Sequence, residues 1–458
     1  MKDLTKGSVW KNLLQMSALL AGSILVQSLY FLADLYWVGR LGKESVAAVG
    51  FSANLMVIVL ALTQSLGVGT AAVISHAVGE KNRERAVLAF NQSFVLSQCI
   101  GLGLCLAAFL LRSQYCNWMG ADELTAGKGV EYLTWFIPAL FLQFALFTAG
   151  AALRGTGVVK PTVVVLVITV VLNLILAPVL VFGWGTGHPL RVAGAALATF
   201  IAVSAGVAAM AFYFFWQKRY IYFDVSLWKP INSIWAEILR IGVPAGGELV
   251  ILAIYLMIVY SLIRGFGASA QAGFGIGARV MQSLFLPALA VGMAAAPVAG
   301  QNFGARSAIR VRQSFYAALT IACTAMLFST LLCQLVPERL IRFFSEDPAV
   351  ITVGAGYLRV ISFTFMATGV IFATSSMFQG MGNTFPPLLS SSLRLVLFSL
   401  PVLILARTAH FTIRQIWYFS AVSVFVQAVA NIFLLKREFQ RKLTFPPIEE
   451  PSECVASL

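Results

Sequence analysis

The chain repeats itself at a fixed interval of 225 residues. Adding 225 carries Gly22 to Gly247, Gly42 to Gly267, Gly50 to Gly275, Gly67 to Gly292, Gly79 to Gly304, Gly129 to Gly354, Gly155 to Gly380 and Gly157 to Gly382. With 21 glycines up to residue 225 and 16 after it, independent placement gives about 1.5 coincidences (21 × 16/225) where eight occur, so the two halves share one architecture. Trp10/Trp235, Tyr30/Tyr255 and Pro161/Pro386 keep the same register.

The repeat runs through sequence that is 59% hydrophobic and only 11% charged, which excludes an ordinary soluble domain. Apolar runs long enough to cross a bilayer fall at 13–38, 46–75, 86–112, 132–153, 161–182 and 192–216, then at 238–263, 270–299, 313–336, 351–377, 388–406 and 415–435. The fold expected is an all-α membrane protein of twelve transmembrane helices. Six helices per half return the chain to its starting side, so the halves are parallel repeats about a pseudo-two-fold axis along the membrane normal, a construction many secondary transporters use. The polar stretch 217–237 reads as a cytoplasmic linker between an N-lobe (1–216) and a C-lobe (238–435), and 436–458 as a cytoplasmic tail.

A net charge of +14 could suggest nucleic acid, but its distribution argues for a membrane. Segments on the side of the N-terminus hold 18 Lys and Arg against 9 on the other, which places both termini in the cytoplasm. The first apolar run carries Asp34 and is too long for a signal core, so it reads as an uncleaved first helix. Six cysteines, Cys99, Cys105, Cys116, Cys323, Cys333 and Cys454, show neither metal spacing nor a disulfide framework. The turns Gly39 to Gly42 and Arg154 to Gly157 punctuate helix ends.

A charge at mid-membrane costs about 2.5–3.5 kcal/mol on insertion scales, so each one is informative. Asp34, Glu248, Arg279 and Arg394 stand out. Gln27, Tyr30 and Asp34 form one polar stripe on the first helix, ending in its only acid. Asn173 in the fifth helix and Thr199 in the sixth fall at similar depth. A carboxylate, an amide and a hydroxyl can carry a proton or weakly hold a small cation, because hard cations want oxygen ligands. Glu248 with Arg394 reads as a buried pair, with Arg279 in the same lobe, since either charge alone would be costly; a second ion or substrate site is the alternative. Phe274, Met281, Met293 and Phe363 are candidates for lining a cleft, with packing the simpler role for each.

The run Asp34-Leu-Tyr-Trp-Val-Gly39-Arg40-Leu41-Gly42, the turn Arg154-Gly155-Thr156-Gly157 and the run Ala193 to Thr199 together resemble the multidrug and toxic compound extrusion (MATE) transporters, with most likeness to their prokaryotic DNA-damage-inducible branch. The resemblance spans essentially the whole chain. It implies two six-helix lobes around a cleft that alternates between faces, exporting organic, often cationic or amphipathic compounds in exchange for H⁺ or Na⁺. It also implies cation-coupling roles for Asp34, Gln27, Tyr30, Asn173 and Thr199. Many members of that branch carry a second carboxylate four residues after the fifth-helix Asn, where this chain has Ala177. The seventh-helix acid of other branches lies eight residues after a Pro; here Glu248 lies four after Pro244.

These observations predict a secondary multidrug efflux antiporter in the bacterial inner membrane, multi-pass and monomeric. Its partners are small organic substrates and membrane lipids, with no nucleic acid. No catalytic residue, cofactor or metal centre is expected; H⁺ is the coupling ion, with a weak Na⁺ site at Asp34, Asn173 and Thr199 as the alternative. A lipid or lipid-linked saccharide flippase of the same superfamily is a rival reading. An intramembrane enzyme is disfavoured because His76, His188 and His410 lie in or near loops, without metal spacing or a nucleophile motif.

Overall fold

The computed structural model describes residues 1–185, 187–216, 220–408 and 411–445, with backbone alone for residues 31–35. Its helices are α1 (Val9–Gly39), α2 (Lys43–Gly79), α3 (Arg83–Met119), α4 (Glu123–Gly155), α5 (Lys160–Phe182), α6 (Arg191–Trp216), α7 (Asn232–Ile263), α8 (Ala268–Gly304), α9 (Ala308–Leu335), α10 (Pro337–Arg342), α11 (Pro348–Ile361), α12 (Phe365–Gly380), α13 (Phe385–Leu405) and α14 (Ile413–Lys442). Twelve spans are long and apolar enough to cross a membrane, as the twelve apolar runs predict. Among the described residues there is no strand.

Several boundaries depart from the sequence reading, α4 starting at Glu123 where the apolar run begins at 132. α7 begins at Asn232, inside the stretch read as linker, and α14 continues to Lys442, past the boundary set at 435. The tenth span is broken: a 3₁₀ turn, Ser362–Thr364, separates α11 from α12. Side chains of α9 satisfy the displaced backbone there, Thr330 Oγ1 donating to the Ser362 carbonyl at 2.9 Å and Gln334 Nε2 to the Arg359 carbonyl at 2.7 Å. Neighbouring helices must supply such bonds when a helix breaks within lipid. In the 225-residue register Phe363 corresponds to Pro138, the proline inside the unbroken α4, so the break in one half stands where the other half carries a proline.

The spans are not sorted cleanly by half. Leu13, Met16 and Leu20 of α1 lie in a hydrophobic core with Val291 and Ala294 of α8 and Ala318 of α9. Ile238 and Ile241 of α7, in corresponding register with Leu13 and Met16, lie in the core of α2, α3 and α4. The first turns of each half are therefore anchored in the other half.

The halves meet where α2 and α8 end, on the face that carries both ends of the described chain. A Cβ on Gly79 would lie 2.1 Å from the Gln301 carbonyl oxygen, and one on Gly304 would lie 2.2 Å from that of His76. Both pairs are related by 225, so the contact is reciprocal about the pseudo-two-fold axis. Hydrogen bonds repeat the exchange: His76 Nε2 lies 2.6 Å from the Gly380 carbonyl, and Gln301 Nε2 donates to the Gly155 carbonyl at 2.9 Å. Away from this seam the helices open. Of the residues from Ser65 to Gly79, 12 of 15 are buried, against 6 of the 22 that precede them in α2. Exposed Arg279, with Gln282 and Ser283, forms a polar face on the opposite half of α8. Such a face lines water in preference to lipid, so the halves are closed at the terminal face and parted toward the other.

Gly79→Ala and Gly304→Ala test the seam by sign. Helix propensity alone favours alanine by about 1 kcal/mol, whereas overpacking against a carbonyl costs about 1–3 kcal/mol. Both variants are expected to lower the melting temperature of the purified protein, while Gly103→Ala, whose Cβ meets nothing within 4 Å, does not.

Candidate functional site

Three of the residues selected from sequence converge. Asn173 Nδ2 donates to Thr199 Oγ1 at 3.2 Å, and the Tyr30 hydroxyl lies 3.1 Å from the same Oγ1. Thr199 also donates to the Ala195 carbonyl at 3.2 Å. Helix geometry explains the meeting: Tyr30 is nine residues from the end of α1, Asn173 nine from the end of α5, and Thr199 eight from the start of α6, or about 12–14 Å below the open face at 1.5 Å per residue. Asn173 and Thr199 are buried, at 1% and 2% exposure, so their polar atoms satisfy one another instead of facing hydrocarbon. Gln27 is half-buried on the same helix. The Asp34 side chain lies outside the described residues; its backbone stands one turn beyond Tyr30 on α1. Ala177, one turn beyond Asn173, is fully buried and brings no second carboxylate.

The second half corrects the sequence reading. Among the described residues Glu248 and Arg394 form no ion pair within 4.0 Å. They line one small cavity instead, together with Tyr255, Ser391 and Gln427, where α7, α13 and α14 meet. Arg394 lies over the Tyr255 ring at 4.7 Å, with Nη1 3.5 Å from Gln427 Oε1. Glu248 Oε1 and Arg394 Nε are buried without a hydrogen-bond partner. The cavity has a volume of about 40 Å³, room for roughly three waters. The sequence placed the two charges in one half but could not give the gap between them. Arg279 does not join this cavity; it is exposed on α8. Phe274 is core, stacked on Trp417 at 5.5 Å, and Met281 accepts from the Tyr357 hydroxyl at 3.2 Å, whereas Phe363 is 62% exposed.

Sequence reasoning did not single out Ser420, whose Oγ lies 2.6 Å from the Tyr255 hydroxyl. The signal was present in the Tyr30/Tyr255 coincidence: each repeat ties this tyrosine to a hydroxyl on its last helix. It also passed over His76 and Gln301, which share the same register.

A family match decides what such a doubled, polar-cored helical protein is. The MatE family profile fits residues 20–179 and again 244–405, one match per half. The chain belongs to the MatE family. It is similar to the probable multidrug resistance protein YpnP of Bacillus subtilis, 28% identical over 386 residues, or 83% of this chain and 84% of that one. It is also similar to the FAD transporter of Shewanella oneidensis, 23% identical over 88% of this chain and 90% of that one. A solved outward-facing multidrug resistance MATE transporter superposes with a TM-score of 0.89 at 24% identity, covering 97% of this chain and 98% of that one. As a MatE protein this is an integral multi-pass membrane transporter and not an enzyme.

Because the two charges of this MatE chain share a cavity without touching, a double-mutant cycle on Glu248→Gln and Arg394→Gln is expected to give a coupling of about 0.5–1 kcal/mol. Breaking a direct buried pair would cost about 3–5 kcal/mol. Thermal denaturation of the four proteins measures it.

Proposed function

We propose that the protein is a proton-coupled efflux antiporter, a monomer in contact with membrane lipids, which exports organic cationic or amphipathic compounds across the bacterial plasma membrane. The two-to-one excess of Lys and Arg on the terminal face supports cytoplasmic termini, so the described state is closed to the cytoplasm and open outward. The halves act as N- and C-lobes that rock about the α2–α8 seam.

The observation that carries the reading is the bonded trio Tyr30, Thr199 and Asn173, one turn beneath the only acid of α1. A proton shifts a conformational equilibrium only through different affinity for the two states. α1 has the anatomy for that: its opposite-face half is bonded to α6 through Tyr30, while its first turns are packed in the core of α8 and α9. Taking a proton from outside removes the Asp34 charge above this trio. The hydrogen bonding of the stripe then rearranges, which moves a helix anchored in both lobes and releases substrate. Deprotonation toward the cytoplasm resets it.

Na⁺ is the second reading, since Tyr30, Thr199 and Asn173 could lend oxygens. Ala177 weighs against it: a sodium ion needs enough negative charge and several oxygens to offset dehydration, whereas a proton needs one carboxylate.

In proteoliposomes at fixed membrane potential, a pH gradient acidic outside is expected to drive export without Na⁺. Asp34→Asn should abolish that export with little change in melting temperature. Ala177→Asp should raise Na⁺ dependence. Export driven by a Na⁺ gradient alone, and not by a proton gradient, would overturn the proton reading.

A further inference from the structure

The segment ahead of α1 is docked between the two halves at the closed seam. Leu4 is fully buried, and its N–H donates to Gln301 Oε1 at 2.9 Å. Its carbonyl accepts from Asn302 Nδ2 at 3.3 Å and from Arg310 Nη2 at 3.2 Å; the same Nη2 also donates to the Gly7 carbonyl at 3.1 Å. Arg310 is held in place by Nε, which donates to Asn302 Oδ1 at 2.8 Å. These partners all belong to the second half. Two residues earlier, the Lys2 N–H donates to the Thr156 carbonyl of the first half at 3.0 Å. Gly157, at φ +76°, admits the segment: a Cβ there would lie 2.7 Å from the Lys2 carbonyl and 3.1 Å from Leu4 Cγ. Gln301, which binds Leu4 through its oxygen, binds Gly155 through its nitrogen. One side chain thus joins the segment, the first half and the second.

The arrangement is one-sided. In the repeat register Leu4 corresponds to Lys229, which is exposed. The segment around it docks on the flank of α3 instead, where Gln92 Nε2 donates to the Leu227 and Lys229 carbonyls at 2.6 and 2.7 Å. Arg85, the counterpart of Arg310, reaches the other half through an ion pair with Glu237 at 3.0 Å. A buried apolar wedge is therefore present on one side of the pseudo-two-fold axis and a half-buried ion pair on the other.

We propose that residues 2–7 are a gate element, a wedge bolted by Arg310 and Gln301, which holds the terminal face shut and must withdraw before the protein opens on that side. Opening separates Gln301 from Gly155, and Leu4 and Lys2 cannot then keep both sets of partners. The peptide carbonyls of Leu4 and Gly7, released from Arg310, pass to water as the face opens. The wedge rests on the alternating-access reading and is independent of the coupling ion.

The test reads conformation directly, in detergent and without substrate or ion gradient. In a background with all six cysteines replaced by serine, Ser75→Cys reports the seam, because Ser75 is fully buried where a Cβ on Gly300 would lie 2.0 Å from its Oγ. Gln282→Cys, on the exposed polar face of α8, reports the other side. Deleting residues 2–6 is expected to raise maleimide labelling of Ser75→Cys by about tenfold and to slow that of Gln282→Cys, as a shifted two-state population requires. Arg310→Ala should move both in the same directions by less. Unfolding would instead raise both rates, so it is told apart from gating, and unchanged rates in the deletion protein would overturn the proposal. Independently, joining Leu4→Cys to Asn302→Cys with a short bis-maleimide is expected to block transport by folded protein. Transport by the crosslinked protein at the uncrosslinked rate, or no crosslink at all, would count equally against the wedge.

Discussion

The rest of the structure depends on backbone contact between two helices at one face. Gly79 and Gly304 let α2 and α8 approach until a carbonyl of each occupies the space of the other's missing Cβ. Two side chains, His76 and Gln301, then cross to the terminal carbonyls of α12 and α4. Everything else about the halves is set by this crossing. Helices splayed from one close point must part elsewhere, and the polar face of α8 shows where they do. The contact is also easy to lose, since it consists of a few glycine clearances and two hydrogen bonds, each worth on the order of 1 kcal/mol net. The proposed cycle, in which the seam separates, is served by contacts that are specific in geometry and modest in energy.

Helices α1 and α7 turn that seam into a mechanism. Each belongs to one half by sequence, and each starts in the core of the other. A change in hydrogen bonding near Tyr30 or Tyr255 therefore acts on a rod whose far end is embedded across the interface. Coupling between a site and a gate requires an element with two arrangements that both ends can bias, and the exchanged helices are such elements.

Much of this was legible in the sequence because it rests on periodicity and depth. The apolar runs gave the helix count and the 225-residue repeat the parallel halves; counting residues from helix ends put Asp34, Asn173 and Thr199 in one half of the membrane, and Tyr30 of the Asp34 stripe proved to be bonded to Thr199. What was not legible depends on lateral position and on partners distant in sequence. Glu248 and Arg394 belong to one half but line a cavity without pairing. The break between α11 and α12 follows from Thr330 and Gln334 on α9, which no local pattern near Ser362 announces. Leu4 is one apolar residue among Lys2, Asp3, Thr5 and Lys6, so no hydrophobic period marked it as buried; its site exists only once Gln301, Asn302 and Gly157 are brought together.

The duplicated scaffold has been put to different uses in its two halves, and the register shows how. Tyr30 and Tyr255 both bond a hydroxyl of their last helix, at Thr199 and Ser420. At the place of Asn173 the second half has Phe398, fully buried and 4.8 Å from the Tyr255 ring. An aromatic ring there supplies no amide, so the polar trio of the first half cannot form. In exchange, the second half has Glu248, Arg394 and Gln427 where the first has Ser23, Thr169 and the fully buried Ala202. Its charges sit closer to the seam, on the terminal side of Tyr255 along α7. With the trio built in one half and the charged cavity in the other, the two halves offer different chemistry about a common axis.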